Sequence, residues 1–452
     1  MRFSFRWRCA ALVLPLVATW VCGVAQAAVN IVPVEVRQLY SGDASNHLFV
    51  DVTVCNAKQQ CRTVPNVLVD TGSPGLRLHR QALGGLSLDE VTILDQRPLG
   101  KWSHFGSGDL WSRVHWAQVR IGGVETTQAI PIELFDDPSP DEILPAGYGS
   151  VDLRGQRDRI PGNGILGISP RHHARTGYFV FEAPWGATSN GRWDRVFVGE
   201  AVQVVNPIVH FPAPYDNGSV ISLPEVDWRA GQDSAQGWLG FGIGLPTEML
   251  FPHGRRVISH ELDASGQFPG KLGQHQVDLM LDSGTNLLRL DLEHFGFARH
   301  GRFKDYYDPA TLTPIDLSVV SAAHEIKLAQ PLHIGPADSL RKTLQGYGVL
   351  PMLAIGPEMP NGQEPRNVLG LPFFFGRTVA TGLRGAVNPY IQPPPMPAPT
   401  LAAEESFEVI EDYVDHAPAR ATAPAHGAAW YAESDGFELV THSPHGFVAY
   451  TD

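Results

Sequence analysis

Two short segments of the sequence carry the residues best suited to chemistry. Residues 70–78 read DTGSPGLRL, and residues 282–290 read DSGTNLLRL. In each, an aspartate ends an apolar run and is followed by a hydroxyl residue, a glycine and a second hydroxyl residue. Glycine permits a tight turn and close approach by a facing chain, and short hydroxyls can hydrogen-bond a carboxylate. Asp70 and Asp282 are therefore the first candidates for acid–base chemistry.

The two segments belong to a longer internal repeat. Five of the nine positions are identical, and each copy follows an apolar strand-like run. About 90 residues further on, each copy is followed by a second matched pattern, GNGILGIS ending at Ser169 and RNVLGLP ending at Pro372. A repeat of this kind predicts two similar halves, which we place at 28–205 and 206–390.

Two such turns that meet across a pseudo-twofold axis would bring the two carboxyl groups face to face. Two carboxylates about 3 Å apart cannot both ionise easily, so they share one proton and titrate as a coupled pair. The ionised member can then activate a water molecule while the protonated member polarises a carbonyl group.

At these motifs the sequence resembles the pepsin-like aspartic peptidases. The matching runs are VLVDTGS at 67–73, LMLDSGT at 279–285, GILGI at 164–168 and VLGL at 368–371. Through the run NVLGLPFFFGR at 367–377 it resembles most a bacterial family of exported pepsin-like proteins known only as a domain of unknown function. The resemblance implies an all-β, bilobal pepsin-like fold. It also implies an enzyme that hydrolyses peptide bonds in a polypeptide substrate.

The resemblance also implies roles for the residues around the two aspartates. Thr71 and Ser283 would form a buried hydroxyl network between the two turns. Ser73 and Thr285 would hydrogen-bond the outer carboxylate oxygens. The two turn glycines would present backbone N–H groups to the pair; they are Gly72 and Gly284.

A β-hairpin flap closes over the substrate in the pepsin-like enzymes, and the corresponding stretch here is 104–112. Phe105 falls where that family has a tyrosine, and Gly106, Ser107 and Gly108 would form the tip. Arg77 falls where a tryptophan usually supports the tyrosine. Its charge is either paired or solvated on its strand, or it lowers the carboxylate pKa values.

Composition agrees with a turn-rich β protein, because 46 glycines and 37 prolines among 452 residues would break many helices. The formal net charge of −13 argues against a nucleic-acid partner. No histidine pair has the spacing of a zinc protease, and we expect neither a metal nor a cofactor. We expect a monomer.

The two ends of the chain differ from its centre. Residues 1–27 have the basic start, apolar stretch and small-residue end of a secretory signal peptide, so we expect an exported, periplasmic or secreted protein with no later membrane span. Cys55 and Cys61 would then form a disulfide that closes a hairpin. Residues 391–452 form a Pro-rich linker and an acidic tail that we expect to be flexible, with a few aromatics able to dock.

Two interpretations of function remain. The intact Asp-Thr-Gly and Asp-Ser-Gly triplets favour an aspartic-type endopeptidase. The missing flap tyrosine and the short segment between the signal and the first strands favour a pepsin-fold binding or assembly protein of the cell envelope.

A local prediction concerns Asn217-Gly218, a dipeptide typical of a β-hairpin turn.

Overall fold

The structure is a computed structural model, and the part of the chain that it describes comprises residues 30–39, 44–94, 96–105, 108–136, 160–182, 192–227, 231–243, 258–263, 266–299, 305–320, 326–337, 340, 346–357, 367–383, 429–432 and 446–451. The predicted signal peptide, the flap residues Gly106 and Ser107 and most of the 391–452 tail lie outside it. Its helical elements with both ends described are short 3-10 turns: Arg80–Leu83, Glu200–Val202, Pro207–His210, Glu293–Phe295 and Leu371–Phe374.

Among the described residues, the first half of the chain contributes twelve strands: β1 (Ile31–Arg37), β2 (Leu48–Cys55), β3 (Cys61–Asp70), β4 (Pro74–His79), β5 (Thr92–Ile93), β6 (Arg97–Phe105), β7 (Gly108–Ile121), β8 (Val124–Glu125), β9 (Ile130–Phe135), β10 (Gly164–Ile168), β11 (Tyr178–Glu182) and β12 (Arg192–Arg195). The remainder contributes thirteen: β13 (Gly218–Ser222), β14 (Ser234–Phe241), β15 (Ile258–Glu261), β16 (Gln267–Leu272), β17 (His275–Leu281), β18 (Leu288–Arg289), β19 (Thr313–Val320), β20 (Ile326–Ile334), β21 (Ala354–Ile355), β22 (Asn367–Leu369), β23 (Arg377–Gly382), β24 (Ala429–Ala432) and β25 (Gly446–Thr451).

The internal repeat corresponds to the same three-strand arrangement built twice. In the first half β10 lies between the strands on either side of the Asp70 turn, parallel to β3 and antiparallel to β4. In the second half β22 lies parallel to β17 and antiparallel to β18. The glycine pattern about 90 residues after each aspartate is therefore the strand that packs inside the Asp loop.

Matching hydrogen bonds fix the central strand to the Asp turn in both halves. Ser169 N donates to Ser73 O at 3.2 Å, and Leu371 N donates to Thr285 O at 2.8 Å. A glycine one or two residues before each donor permits this approach. A Cβ on Gly167 would lie 2.5 Å from Ser73 O, and one on Gly370 would lie 2.4 Å from Thr285 O.

Strands from both halves share one sheet. β1 pairs along its whole length with β14, β14 pairs with β13, and β13 pairs with β23. The second half also has a sheet of its own in the order β20-β19-β16-β17-β22-β18-β21. The all-β, bilobal pepsin-like class expected from the sequence is confirmed by this doubled strand arrangement.

Alternating hydrophobic residues explain the strand packing. On β2, Leu48, Val50, Val52 and Val54 are fully or almost fully buried, whereas Asp51 between them is exposed. Side chains on a strand alternate between its two faces, so this period of two places one face in the core. The main apolar cluster includes Val69 and Leu281, the residues immediately before the two aspartates.

Three local predictions can be compared with the structure. Cys55 and Cys61 form the expected disulfide, which joins facing residues of the β2–β3 hairpin. The hairpin predicted at Asn217-Gly218 is wrong: β13 begins at Gly218, and residues 211–217 contain no strand. Asn217 instead bonds both backbone groups of Ile243 at 2.6 and 2.7 Å.

The tail contains two described strands. β24 and β25 are parallel to each other, and both pair with β15 and β23. Four of the tail aromatics singled out in the sequence are in these strands: Trp430, Tyr431, Phe447 and Tyr450. In the described parts of the chain, no helix combines the length and apolar character needed to cross a membrane.

Candidate active site

Each aspartate is held by its own turn through equivalent hydrogen bonds. Asp70 Oδ1 accepts from Gly72 N at 2.7 Å and Ser73 N at 3.1 Å, and its Oδ2 accepts from the Ser73 hydroxyl. Asp282 Oδ1 accepts from Gly284 N at 2.8 Å, and its Oδ2 accepts from Thr285 Oγ1 at 2.6 Å. Both carboxyl groups are therefore fixed in orientation by their own turns.

Thr71 and Ser283 bond the two turns to each other in a reciprocal network. Thr71 N donates to Ser283 Oγ at 3.2 Å, and Ser283 N donates to Thr71 Oγ1 at 2.9 Å. Each hydroxyl then donates across the interface to a main-chain carbonyl, Thr71 to Leu281 O and Ser283 to Val69 O. Both side chains are buried, so these four bonds lock the relative position of the aspartates.

The two carboxyl groups face each other across this network. A Cβ on Gly72 would lie 2.6 Å from the Asp282 carboxyl carbon, and a Cβ on Gly284 would lie 2.9 Å from that of Asp70. Each turn glycine thus makes room for the opposite aspartate. Any larger residue at either position would displace one carboxyl group.

The environment of the pair favours retention of a proton. Burial, and then the nearby charge of Asp282, raise the pKa of Asp70 to about 7. The Ser73 hydrogen bond and the Arg77 cation act in the opposite direction. Near neutral pH the arrangement can therefore supply one acid and one base, as general acid–base catalysis requires.

Asn46 connects the second turn to a distant loop. This residue is fully buried and adopts a positive φ of 61°. Its amide donates to Asn286 O at 2.9 Å and to Leu350 O at 2.8 Å, and its oxygen accepts from Leu350 N at 2.8 Å. Because Asn286 directly follows Thr285, residues near the start of the chain help to hold the Asp282 turn.

Arg77 lies beneath the first turn, and its charge is buried and paired. Its side chain is 3% exposed, and Nε lies 3.0 Å from Oε1 of Glu133, whose side chain is fully buried. Its Nη1 donates to Ser73 Oγ at 3.2 Å, and its two terminal nitrogens also donate to Gly75 O and Pro74 O. Arg289, the equivalent residue of the second copy, is only half-buried on β18.

The expected flap is the hairpin of β6 and β7, in which Phe105 faces Gly108 at the last described pair before the tip. Asp109 Oδ1 lies 2.7 Å from His104 Nδ1 and accepts from Trp102 Nε1 at 3.1 Å. The Phe105 ring centre is 5.0 Å from the Arg77 guanidinium carbon. Arg77 thus touches both the flap and the Asp70 turn.

A family described as "Protein of unknown function (DUF3443)" matches residues 26–398. The chain belongs to the DUF3443 family. A search of curated proteins finds no match.

Among solved structures, the DUF3443 chain is similar to the aspartic proteinase from Irpex lacteus. The identity is 14%, the TM-score is 0.45, and the match covers 77% of this chain and 93% of that one.

The sequence motifs identify the residues that meet around the two aspartates in this DUF3443 protein, but not the residues behind them. The motifs do not include Glu133, Asn46 or Lys101. The sequence could have indicated that Glu133 is a buried charge, because it is the one charged residue in the otherwise apolar strand IPIELF. Within the described residues, no cluster of three or more His, Cys, Asp or Glu side chains could hold a metal ion.

Proposed function

We propose that the chain is an exported aspartic-type endopeptidase. Asp70 and Asp282 are its catalytic pair, and a polypeptide is its substrate. The observation that carries the proposal is the facing of two carboxyl groups, each held by a turn N–H and a hydroxyl and each opposite the other turn's glycine.

The reaction uses the single proton that the pair shares. The ionised carboxylate removes a proton from a water molecule held between the two groups, while the protonated carboxyl donates to the carbonyl oxygen of the peptide bond. The hydroxide adds to the carbonyl carbon and gives a tetrahedral intermediate. A proton then passes to the amide nitrogen, the C–N bond breaks, and the products are a carboxylic acid and an amine.

Export is supported by two independent features. The first is the signal-like pattern of residues 1–27. The second is the Cys55–Cys61 disulfide, a bond that persists in oxidising compartments such as the periplasm and the cell exterior.

The competing candidate is a binding or assembly protein of the cell envelope with a silent pair. Phe105 favours it, because a flap phenylalanine offers no hydroxyl toward the site. The Arg77 contact with Ser73 supplies a polar group on the same side and supports the enzyme.

The test is cleavage of casein and of a peptide library by the purified protein from pH 3 to pH 7, with and without pepstatin. Asp70→Asn and Asp282→Asn are assayed beside it. We expect cleavage by the unaltered protein, inhibition by pepstatin and a loss of at least about 10³-fold in each variant. Activity that survives Asp70→Asn contradicts the catalytic pair, and no cleavage under any condition favours the binding protein.

A further inference from the structure

A line of buried side chains runs from Asp70 into the interior of the first half. Ser73 donates to Asp70, Arg77 donates to Ser73, and Glu133 pairs with Arg77. Taking both members of an ion pair out of water is costly, and a buried pair is weak grounds for stability by itself. A buried Arg–Glu pair in contact with the candidate catalytic turn therefore calls for a role in that turn.

The donors and acceptors that each side chain offers show how Ser73 can bond both Arg77 and Asp70. A serine hydroxyl has one proton and two lone pairs, whereas a guanidinium group only donates. Ser73 Oγ must therefore accept from Arg77, which leaves its only proton for Asp70 Oδ2. Ser73 thus accepts from Arg77 with one lone pair and donates its proton to Asp70.

Arg77 also fixes the backbone on which Ser73 stands. Its Nη1 donates to Gly75 O at 3.1 Å, and its Nη2 donates to Pro74 O at 2.9 Å. The guanidinium plane is held in turn by Glu133, which faces Arg77 in the register of the parallel strands β4 and β9. Ser112 Oγ and Ser103 Oγ donate to Glu133 at 2.8 and 3.0 Å and fix its carboxylate.

We propose that Arg77, held by Glu133, is a positioning residue that directs the Ser73 hydroxyl onto Asp70 and supplies the polar support that a phenylalanine at position 105 does not offer. The inference rests on the proposed peptidase function. Its location supports it, because the same guanidinium contacts the Phe105 ring and the Ser73 hydroxyl.

Charged and titratable groups reach this line from several strands and from the second turn. They are Asp282 from the second turn, Arg77 from β4, Lys101 from β6, Glu133 from β9 and Tyr178 from β11. Burial lowers the pKa of Lys101 to about 8, so below that pH the buried cluster contains two cations and one Glu133 carboxylate beside the aspartate pair.

The sign of the expected pH effect follows from the charge of Arg77. A nearby cation favours ionised carboxyl groups, so its removal raises both apparent pKa values of the aspartate pair. Both limbs of the pH profile of kcat/KM should then move to higher pH. A pair that only stabilised the fold would lower the amount of folded enzyme and leave kcat per folded molecule unchanged.

The experiment compares the pH profile of peptide cleavage in four proteins: the unaltered protein, Arg77→Lys, Arg77→Met/Glu133→Gln and the control Arg97→Met. The double substitution removes both partners of the ion pair, so neither is left without the other, and the glutamine still accepts from Ser103 and Ser112. Lys101 loses its anionic neighbour but keeps its bonds to Trp102 O and Ser103 Oγ. Arg97 pairs with Glu182 at 2.6 Å in the same half, about one-third exposed and without contact to Ser73. Circular dichroism establishes the folded fraction of each variant.

We expect the double variant to show both limbs shifted upward and kcat about tenfold lower, Arg77→Lys to recover part of the shift, and Arg97→Met to match the unaltered protein. Placed in a Ser73→Ala background, the double substitution should lower kcat no further. The inference would be overturned by unshifted limbs in a folded double variant. It would also be overturned if the double substitution lowered kcat equally in the presence and in the absence of the Ser73 hydroxyl. The Asp70→Asn variant tests the peptidase function separately. An unaltered protein without activity refutes the proposed function itself.

Discussion

Gly72 and Asp282 meet so closely that a methyl group on the glycine would lie 2.6 Å from the carboxyl carbon of the aspartate. The substitution Gly72→Ala should therefore push the two carboxyl groups apart. A displacement of about 1 Å in a reacting group can cost roughly 10²-fold in rate, and we expect a loss of cleavage of that order.

Gly199→Ala is the matched control for this change. Gly199 has an ordinary φ of −70°, and an added methyl group would meet no atom within 4 Å. It should leave peptide cleavage unchanged. Full activity in Gly72→Ala would mean that the two turns do not meet as described.

The hydroxyl network between the turns should contribute measurably to stability. Thr71→Val keeps the side-chain shape but leaves Ser283 N and Leu281 O without their partner in a buried site. The expected cost is about 1–3 kcal/mol in the free energy of unfolding, measured by urea titration. Thr53→Val is the control, because Thr53 bonds Thr63 at an exposed position and should cost less than about 0.5 kcal/mol.

Thr71 and Ser283 should also prove coupled. Because they share hydrogen bonds, Thr71→Val combined with Ser283→Ala should cost less than the sum of the single changes. Strict additivity would argue that the two hydroxyls act separately.

Stability should depend on pH through Asp70. Its pKa is raised on folding to about 7, so the folded protein keeps a proton that the unfolded chain releases near pH 4. The stability contributed by this group is present at acid pH and is lost as the pH rises toward 7. The unaltered protein should therefore lose stability relative to Asp70→Asn by on the order of 1 kcal/mol per pH unit between pH 4 and 7.

Free energies of unfolding for both proteins, measured every half unit from pH 4 to pH 8, test this dependence. Asp70→Asn should be the more stable protein at pH 8. Parallel curves across the whole range would show that Asp70 titrates alike in the folded and unfolded chains.

The disulfide should stabilise the first half modestly. Cys55 and Cys61 are six residues apart and close a short loop, for which the chain-entropy model gives about 2 kcal/mol. We expect Cys55→Ser/Cys61→Ser to lower the free energy of unfolding by that amount and to leave cleavage intact. An unchanged free energy, with the bond shown by mass spectrometry in the unaltered protein, would refute the estimate.

The sequence predicts the parts of the site that are local in the chain. Asp70, Ser73, Asp282 and Thr285 could be assigned from one repeated motif, because each aspartate is held by atoms at most three residues away. The pairing of Arg77 with Glu133 depends on the register of two strands far apart in sequence, and no motif encodes it.

Asn217-Gly218 shows why local patterns also fail. The dipeptide suits a hairpin turn, but the Asn217 side chain is engaged by the backbone of Ile243, 26 residues away. A tertiary contact thus replaces the local one. The same limit applies to Asn46, whose role depends on loops that only the folded chain brings near.

The contacts of Asn46 have a consequence for the timing of activity. Its partners lie 240 and 304 residues further along the chain, so the second turn acquires its support only when most of the chain has been made. A nascent chain that ends before Leu350 lacks the second of these contacts. If the proposed function holds, the order of synthesis itself would keep the enzyme inactive until most of the chain has been made.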